Sequence, residues 1–282
     1  MFFEYALATG LEDEIIKEGK LMFNTLLYQF LKIDNVISFI NKDYNDYKNE
    51  GLKVIETNDN NLMEKIREVI KNYKIDYFLV IAPEEDGILY KLTEFIERYG
   101  IKNLGSSSEA VKVAGDKYKT YLAIKDIVRT PKTIKGKYII KKIDGCGGYH
   151  QLINENYIIQ EYIEGESLSV SLIVGKKIYP LSLNRQYIDK KFVGADVNID
   201  HNLKSEIFNE VVKAVKAIKG LNGYVGVDVV VNKNLIYIIE INPRITTCIC
   251  KLNTYPTLAE LLIKNANGED LNFNVSGGSF RL

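Results

Sequence analysis

The chain has 282 residues with 37 Lys and Arg against 37 Asp and Glu, so its formal net charge is zero at pH 7. At roughly 150 residues per domain, this length predicts about two domains and excludes a small disulfide-stapled scaffold. The balanced charge gives no basic field for a nucleic-acid backbone, and the apolar runs are far shorter than the ~20 residues of a membrane span. We therefore expect neither nucleic acid nor a membrane as a partner.

The amino terminus and the cysteines bear on the cellular compartment. No basic stretch followed by a long apolar stretch opens the sequence, which favours a cytoplasmic protein over a secreted one. Cys146, Cys248 and Cys250 are odd in number and lack the spacing of a metal site. Reduced thiols that pack in the interior are the simplest interpretation.

The first third of the chain alternates short β-rich runs with helical periodicity. Strands are predicted over residues 2–6, 36–40, 52–57 and 77–82, and apolar residues recur at helical spacing between residues 11 and 31. This alternation predicts a parallel sheet with helices on its faces, from residue 1 to about residue 105. Ligands bind beyond the carboxyl ends of such strands, so residues 8–10 and 84–87 are expected on the functional rim. The acidic residues 84–86 could instead only cap a helix.

From Lys137 onward the sequence is dense in predicted strands. They cover residues 138–143, 157–163, 167–174, 178–183, 224–231 and 235–241. Helices are predicted over about residues 203–219 and 258–264. The second part of the chain is therefore expected to be an α+β body built on antiparallel hairpins.

Residues 224–244 have the sequence YVGVDVVVNKNLIYIIEINPR. With a three-residue hairpin loop at 232–234, Asp228 and Glu240 would be diagonal neighbours on one face, and Asn242 would share that face. Two carboxylates among Val and Ile need a cation, because an uncompensated buried carboxylate costs several kcal/mol. Such oxygen donors favour Mg²⁺ held jointly with substrate phosphates over zinc. A surface strand with incidental acids is the alternative.

A glycine-rich segment follows the predicted strand that carries Lys141. Backbone N–H groups at Gly145, Gly147 and Gly148 could cradle anionic oxygens without interference from a Cβ atom. The segment lacks the terminal Lys-Ser/Thr of a Walker loop and does not lead into a helix. A plain glycine hairpin is therefore the alternative.

Residues 158–171, IIQEYIEGESLSVS, form a third candidate element. Backbone groups at Glu161, Tyr162 and Ile163, at the end of an apolar strand, could contact an adenine edge. The Glu166 carboxylate shortly afterwards could accept hydrogen bonds from ribose hydroxyls. Solvated acids in a hairpin are the alternative.

Taken in order, these elements resemble the ATP-grasp superfamily of carboxylate–amine ligases. The ordered set is Asp116-Lys117, Lys141, the glycine segment, residues 160–163, Asp228 and residues 240–244. The resemblance implies an ATP-grasp fold of mixed α/β and α+β character. It further implies a Rossmann-like pre-ATP-grasp domain at residues 1–110, a linker helix and central lid subdomain at 111–175, and a carboxyl-terminal ATP-grasp body with the metal site at 176–282.

The resemblance also implies roles for individual residues. ATP would be bound by Lys117, Lys141, Gly145, Gly147, Gly148, the adenine hinge Glu161, Tyr162 and Ile163, and Glu166 at the ribose, with Ser167 as an alternative to Glu166. The metal ligands for Mg²⁺, or for Mn²⁺ in its place, would be Asp228, Glu240 and Asn242. Arg244 corresponds to the arginine on the phosphate side of the family's site.

Four stretches are similar to one archaeal branch of the superfamily. They are FFEYALATG at the start, APEEDG at the rim, PLSLNRQYI from residue 180 and NPRITTCICKLN from residue 242. That branch joins the γ-carboxylate of L-glutamate to tyramine, through an acyl phosphate, in methanofuran biosynthesis.

Arg185 and Arg244 are then the candidate catalytic residues, as clamps for glutamate or the tetrahedral intermediate. For Arg185, this role predicts that loss of the side chain raises the glutamate requirement more than the ATP requirement. A packed strand arginine is the alternative. A ligase for another amino acid and amine, an ATP-grasp phosphotransferase and a nucleotide-binding regulator remain alternatives for the whole chain, and the oligomeric state, a homodimer included, stays open.

Overall fold

The computed structural model of the chain describes residues 1–11, 13–144 and 150–282. Gly145, Gly147 and Gly148, which were assigned to phosphate binding, and Cys146 lie outside the described residues. No helix within the described ranges is long and apolar enough to cross a lipid bilayer.

Helices occur in both parts of the chain. Their bounds are α1 (Tyr5–Thr9), α2 (Asp13–Phe30), α3 (Leu62–Asn72), α4 (Ile88–Glu97), α5 (Ser108–Ala114), α6 (Lys117–Ile124), α7 (Lys204–Lys216) and α8 (Leu258–Ala266). A 3-10 helix at Thr247–Lys251 lies between the last long strand and α8. The helices predicted near residues 203–219 and 258–264 correspond to α7 and α8.

The strands include those predicted and several short additional ones. Their bounds are β1 (Phe2–Glu4), β2 (Val36–Asn41), β3 (Leu52–Thr57), β4 (Tyr77–Ile81), β5 (Lys102–Asn103), β6 (Thr133–Lys135), β7 (Tyr138–Lys141), β8 (His150–Ile153), β9 (Ile158–Gln160), β10 (Glu166–Val174), β11 (Ile178–Asp189), β12 (Lys191–Asp196), β13 (Gly223–Asn232), β14 (Leu235–Asn242), β15 (Asn253–Tyr255), β16 (Asn274–Ser276) and β17 (Ser279–Arg281).

The amino-terminal part is a parallel α/β unit, as predicted. β4 pairs in parallel with β1 and β5, and β2 pairs in parallel with β3. Phe3, Phe39 and Phe78 from these strands are buried in one cluster with Ile66 of α3 and Leu92 of α4. Burial of aromatic side chains between sheet and helices stabilises this unit and fixes the rim at the carboxyl ends of the strands.

β1 is shorter than predicted, because it ends at Glu4 and not at residue 6. The Glu4 carboxylate accepts hydrogen bonds from the backbone N–H groups of Ala6 and Leu7, at 3.1 and 2.8 Å. A side-chain acceptor here satisfies N–H groups that have no partner within the helix, so the chain turns into α1 at Tyr5. Residues 8–10 form the end of α1 and its cap, and Glu4 is the residue that lies at the carboxyl end of β1.

The second part of the chain is built on one antiparallel sheet, the main sheet, with strand order β14-β13-β10-β11-β12-β17. Val227 and Val229 of β13 are buried in one cluster with Ile207 and Val211 of α7. Side chains alternate between the two faces of a strand, so Asp228 leaves β13 on the face opposite to α7. We call this the open face.

The hairpin of β13 and β14 has a register that differs from the prediction. Asn232 pairs with Leu235, so the loop has two residues and not three. The register shifts beyond Val229, where β14 contributes one extra residue, Ile239. Asp228 is consequently paired directly with Glu240, and the two carboxylates are not diagonal neighbours as predicted.

Two small antiparallel sheets, β6–β9 and β7–β8, lie between the two parts in sequence. Lys141 is the last residue of β7 and pairs with His150. β10 falls within the predicted lid range 111–175 but pairs with β11 and β13 in the main sheet. The division of the chain at residues 110 and 175 stays a prediction.

Gly223, the first residue of β13, lies where the main sheet meets the amino-terminal part. Its φ is +66°, and a Cβ atom added there would overlap the carbonyl oxygen of Leu104. Beside this contact, the Asn222 N–H donates to Ser106 Oγ at 3.2 Å, and Ser106 Oγ donates to the Asn222 carbonyl oxygen at 3.1 Å. A close main-chain contact and the hydrogen bonds of one serine hydroxyl therefore join the two parts here.

We expect Gly223→Ala to lower the free energy of unfolding by about 2–4 kcal/mol, because both the backbone angle and the close contact oppose a side chain. Gly268→Ala is the matched control, since Gly268 also has a positive φ, +75°, but no neighbouring atom within 4 Å. The control should lose only the backbone cost of about 1–2 kcal/mol. Urea unfolding of both variants measures the difference, and equal losses would contradict a steric role for Leu104.

Candidate active site

Asp228, Glu240 and Asn242 lie together on the open face of the main sheet. Asp228 is paired with Glu240, and Asn242 is paired with Gly226 on the neighbouring strand. Asn242 Nδ2 donates to Asp228 Oδ2 at 3.2 Å. The structure thus brings the three proposed metal ligands into one cluster.

The Asp228 carboxylate lies where its own negative charge is disfavoured. Burial raises the pKa of Asp228 from 3.8 to about 6, and the charge of Glu240 adds to the rise. Hydrogen bonds from Asn242 and Gln186 oppose the rise, with Gln186 Nε2 at 2.9 Å from Asp228 Oδ1. Positive charge placed here would offset the repulsion between the two carboxylates.

Lys117 supplies part of that positive charge. It is the first residue of α6, which Asp116 caps by accepting from the backbone N–H groups of Tyr118 and Lys119 at 3.0 Å. Its ammonium group forms an ion pair with Glu240, whose side chain is 31% exposed. A lysine proposed to contact ATP phosphates therefore lies beside the proposed metal ligands.

Arg244, two residues beyond β14, connects the main sheet with the rim of the amino-terminal part. Its Nε donates to Glu84 Oε1 at 2.9 Å, and both side chains are largely buried, at 24% and 17% exposure. Glu84 makes no capping hydrogen bond to the turn at Glu85–Gly87, so a cap does not account for this acidic residue. Two segments that the sequence marked separately are thus in direct contact.

Arg185 lies on β11 and contacts a different proposed residue. Its Nε donates to Glu166 Oε1 at 2.8 Å, while His201 Nε2 lies 3.2 Å from Glu166 Oε2. Because Gln186 reaches Asp228 on the open face and neighbouring residues alternate, Arg185 leaves the sheet on the other face. The structure therefore joins Arg185 to the proposed ribose ligand.

The proposed adenine hinge follows β9. The Glu161 N–H donates to the Lys132 carbonyl oxygen at 2.9 Å, and Glu161 Oε2 accepts from the Lys132 N–H at 3.2 Å. The Tyr162 side chain is 89% exposed and Ile163 is half-buried. Glu161 is thus held to the start of β6, while the Tyr162 ring faces solvent.

A cleft of about 570 Å³ opens between the rim, α2, β12 and the Arg244 segment. Its charged lining residues are Glu4, Lys17, Glu18, Lys191 and Arg244, and most of the remaining wall is apolar. The cleft lies beyond the carboxyl ends of β1 and β4, where open α/β sheets bind their ligands.

Comparison with known proteins places both parts of the chain in one family. Residues 114–248 match the ATP-grasp domain, and residues 40–111 match the pre ATP-grasp 3 domain. The tyramine–L-glutamate ligase of Methanocaldococcus fervens is 67% identical over 100% of this chain and 99% of that protein. This chain belongs to the tyramine–L-glutamate ligase family of ATP-grasp enzymes.

Other relatives of this ATP-grasp chain agree in sequence and in structure. The tyramine–L-glutamate ligase of Methanocaldococcus jannaschii is 63% identical over 100% of this chain and 94% of that protein. A crystal structure of an ATP-grasp superfamily protein from Archaeoglobus fulgidus is 34% identical, with a TM-score of 0.77 over 96% of this chain and 88% of that one. The predicted ATP-grasp fold with a pre-ATP-grasp part is confirmed.

ATP-grasp proteins use ATP and divalent metal ions, and the open face can be tested for the metal. In the part of the chain that the structure describes, no group of three or more His, Cys, Asp or Glu side chains could hold a metal ion. Mg²⁺ commonly takes only one or two carboxylates from the protein and completes its shell with phosphate oxygens and water. Asp228, Glu240 and the Asn242 amide oxygen fit that shared mode.

Three site contacts of this ATP-grasp chain were missed from sequence. Gln186, which contacts Asp228, is a polar residue at period-2 spacing from Asn184, and that spacing could have indicated it. His201 contacts Glu166 across 35 residues, and the ion pair of Glu84 with Arg244 spans 160 residues. No local pattern indicates contacts over such separations.

Glu4 is the most deeply buried charged group that lines the cleft. The residue is only 4% exposed. Burial raises the pKa of Glu4 from 4.5 to about 7, and the hydrogen bonds from Leu7 and Ala6 and the charge of Arg244 oppose this rise.

We expect the free energy of unfolding to fall as pH rises from about 4.5 to about 7, because the folded protein retains a proton on Glu4 that the unfolded chain releases. Below that range the carboxyl is protonated in both states, and above it the loss is complete. Glu4→Gln should reduce this slope, most clearly between about pH 6 and pH 7, above the raised pKa of Asp228, as measured by urea unfolding at a series of pH values. An unchanged slope in the variant would assign the pH dependence to other groups.

Proposed function

We propose that this chain joins the γ-carboxylate of L-glutamate to the amine of tyramine, with release of ADP and phosphate. The relatives at 67% and 63% identity are tyramine–L-glutamate ligases. The observation that carries the proposal is the cluster of Asp228, Glu240 and Asn242 with Lys117 beside it. Phosphoryl transfer depends on such charged groups, because its catalysis is mostly positioning and electrostatic stabilisation.

The first step activates the carboxylate. A carboxylate resists attack by an amine because it is anionic and would have to release oxide. A γ-carboxylate oxygen attacks the γ-phosphorus of ATP, the bond from that phosphorus to ADP breaks, and an acyl phosphate forms. Magnesium, or manganese with the same oxygen donors, would supply positive charge to the phosphates when held by Asp228, Glu240 and Asn242. Lys117, which is paired with Glu240, and Arg244, two residues beyond Asn242, add cationic groups near this cluster.

The second step forms the amide. The ammonium group of the amine first loses a proton to water, and the neutral nitrogen attacks the acyl carbon. The carbon–oxygen bond to phosphate breaks, and the departing phosphate takes up the proton that the nitrogen then gives up. Negative charge develops on the acyl oxygen in the tetrahedral intermediate, where a cationic donor such as the Arg244 guanidinium stabilises it. Its ion pair with Glu84 holds that guanidinium at the junction of cleft and main sheet.

ADP release with Mg²⁺ and ATP, measured across amino acids crossed with amines, tests the proposal when products are identified by mass spectrometry. We expect a glutamate–tyramine adduct only when both substrates are present. Release with a different pair would overturn the substrate assignment and keep a ligase. A phosphorylated alcohol would identify a phosphotransferase, and silence throughout would favour a nucleotide-binding regulator.

Arg185 tests how the nucleotide side is organised. Because the ion pair of Arg185 with Glu166 lies on the α7 side of the sheet, we propose that Ser167, whose hydroxyl lies 3.0 Å from Gln186 Oε1 on the open face, contacts the ribose in place of Glu166. Arg185→Ala should then leave the KM for ATP within about twofold of wild type. Little change is expected in the KM for glutamate, in contrast to the glutamate clamp assigned from sequence. Lys177→Ala, which removes an exposed ion pair of equal 2.8 Å length with Asp270, is the control. A rise confined to the glutamate KM would restore the clamp.

A further inference from the structure

We propose that the cleft between α2, β12 and the Arg244 segment binds the amine substrate, with its ring on the apolar wall and its ammonium group at Glu18 and Glu4. This inference rests on the proposed function and assigns one of its two organic substrates to a place. That substrate is distinguished by an aromatic ring joined to an ammonium group by a short chain.

The position of the cleft suits the second substrate of the reaction. Arg244 is shared between the cleft and the region of the metal cluster, because it lines the cleft and lies two residues beyond the proposed metal ligand Asn242. A molecule held in the cleft would therefore approach the acyl phosphate from the rim side. Of the residues assigned to ATP that the structure describes, from Lys117 of α6 to Glu166 of β10, none lines the cleft, so the cleft is left to another ligand.

The wall of the cleft fits an aromatic ring. Ile15 and Met22 of α2 and Phe192 of β12 line it from two sides, and Ile81 closes the end of β4. Phe192 is supported from behind by Phe280, with ring centroids 6.0 Å apart. Burying an aromatic ring against such a wall contributes most of the binding free energy of a small aromatic ligand.

The acidic residues of the cleft fit an ammonium group. Glu18 is half-buried and accepts a hydrogen bond from Thr247 Oγ1 at 3.1 Å, which fixes it beside the segment that follows Arg244. Glu4 lies against Gly19, where an added Cβ atom would overlap its carboxylate. Two carboxylates thus line the same cleft from neighbouring positions on α2 and β1.

The same lining disfavours glutamate as the occupant. At pH 7 glutamate carries two carboxylates and one ammonium group, all of which would lose hydration against a mainly apolar wall. Its two carboxylates would also lie near Glu4 and Glu18. Of the cations in the same lining, Arg244 is paired with Glu84, and Lys17 and Lys191 are exposed. Tyramine brings one positive charge and a ring, so its charge suits the two glutamates and its apolar surface suits the wall.

Two single changes test the two halves of the assignment. Glu18→Gln keeps an acceptor for Thr247 and removes only the charge. Ile15→Lys places a cation in the apolar wall at a residue that is 53% exposed, so folding should be retained. We expect each to raise the KM for tyramine at least about tenfold and to leave the KM values for ATP and glutamate within about twofold of wild type.

Leu21→Lys is the matched control, because Leu21 is 40% exposed on the same helix and does not line the cleft. Hydroxylamine provides a second readout, since this small nucleophile needs no ring site. Glutamyl hydroxamate formation at saturating hydroxylamine should proceed at the wild-type rate in both cleft variants. Unchanged tyramine KM values, or a rise in the glutamate KM, would overturn the assignment.

Failure of the proposed function can be told apart from failure of this inference. A wild-type chain that forms neither hydroxamate nor adduct from glutamate would contradict the proposed function. Equilibrium dialysis with labelled tyramine then tests the cleft alone: binding that is lost in Ile15→Lys and kept in Leu21→Lys supports it. Equal binding by the two variants, or none by wild type, contradicts it.

Discussion

Glu240→Gln is expected to reduce kcat for ADP release by at least about 1,000-fold while the protein stays folded. The change removes a charge that is paired with Asp228 across the hairpin and forms an ion pair with Lys117. The amide keeps the size of the side chain and relieves the repulsion that raises the pKa of Asp228, so thermal stability should be equal to wild type or higher. Steady-state ADP release and thermal unfolding of the same preparation measure the two effects.

The control for Glu240→Gln is a second carboxylate that pairs with a lysine. Glu210 of α7 forms an ion pair with Lys213 at 2.6 Å, on the other side of the main sheet. Glu210→Gln should leave kcat within about twofold of wild type, because exposed pairs contribute about 1 kcal/mol or less. Near-wild-type turnover by Glu240→Gln would remove Glu240 from the metal site.

Arg244→Ala is expected to lower kcat by about 100-fold to 1,000-fold, through loss of the cationic group proposed to stabilise the tetrahedral intermediate. It should also destabilise the fold, because Glu84 is only 17% exposed and would lose its ion-pair partner. Single-turnover formation of the adduct from a preformed acyl phosphate would show the loss in the second step.

Arg98→Ala provides the matched comparison for Arg244→Ala. Arg98 also donates to a glutamate at 2.9 Å, but this pair with Glu94 lies on the surface of α4 at 66% and 38% exposure. Its loss should change neither the free energy of unfolding nor the activation free energy of turnover by more than about 1 kcal/mol. The variant Glu84→Gln separates the two effects of Arg244: it should lose stability and keep most of the turnover. Equal activity in the two arginine variants would contradict a catalytic role for Arg244.

Alternation along the strands was sufficient to place the proposed metal ligands on one face, although the detailed register was wrong. A two-residue loop alone would pair Glu240 with Val227 and turn its carboxylate toward the core. The extra residue Ile239 shifts the pairing and returns Glu240 to the side of Asp228. Loop length and bulge compensate each other, and neither is visible in the hydrophobic pattern.

The contacts that assemble the rest of the site depend on tertiary packing. Glu84 and Arg244 are 160 residues apart, and Glu18 and Thr247 are 229 residues apart. The sequence marked Glu84 and Arg244 separately but not their contact, and no local pattern marked the contact of Glu18 with Thr247. The early end of β1 has a local cause, the capping carboxylate of Glu4, which a β-rich run concealed.

The main-chain contact at Gly223 has a consequence for how the enzyme can move. The Leu104 carbonyl oxygen leaves no room for a side chain there, and Ser106 and Asn222 are hydrogen-bonded in both directions. A junction made this way opposes both sliding and hinge rotation between Glu84 on the rim and Arg244 beyond β14. We therefore expect opening and closing around substrates to involve the small sheets β6–β9 and β7–β8 and to leave this junction unchanged.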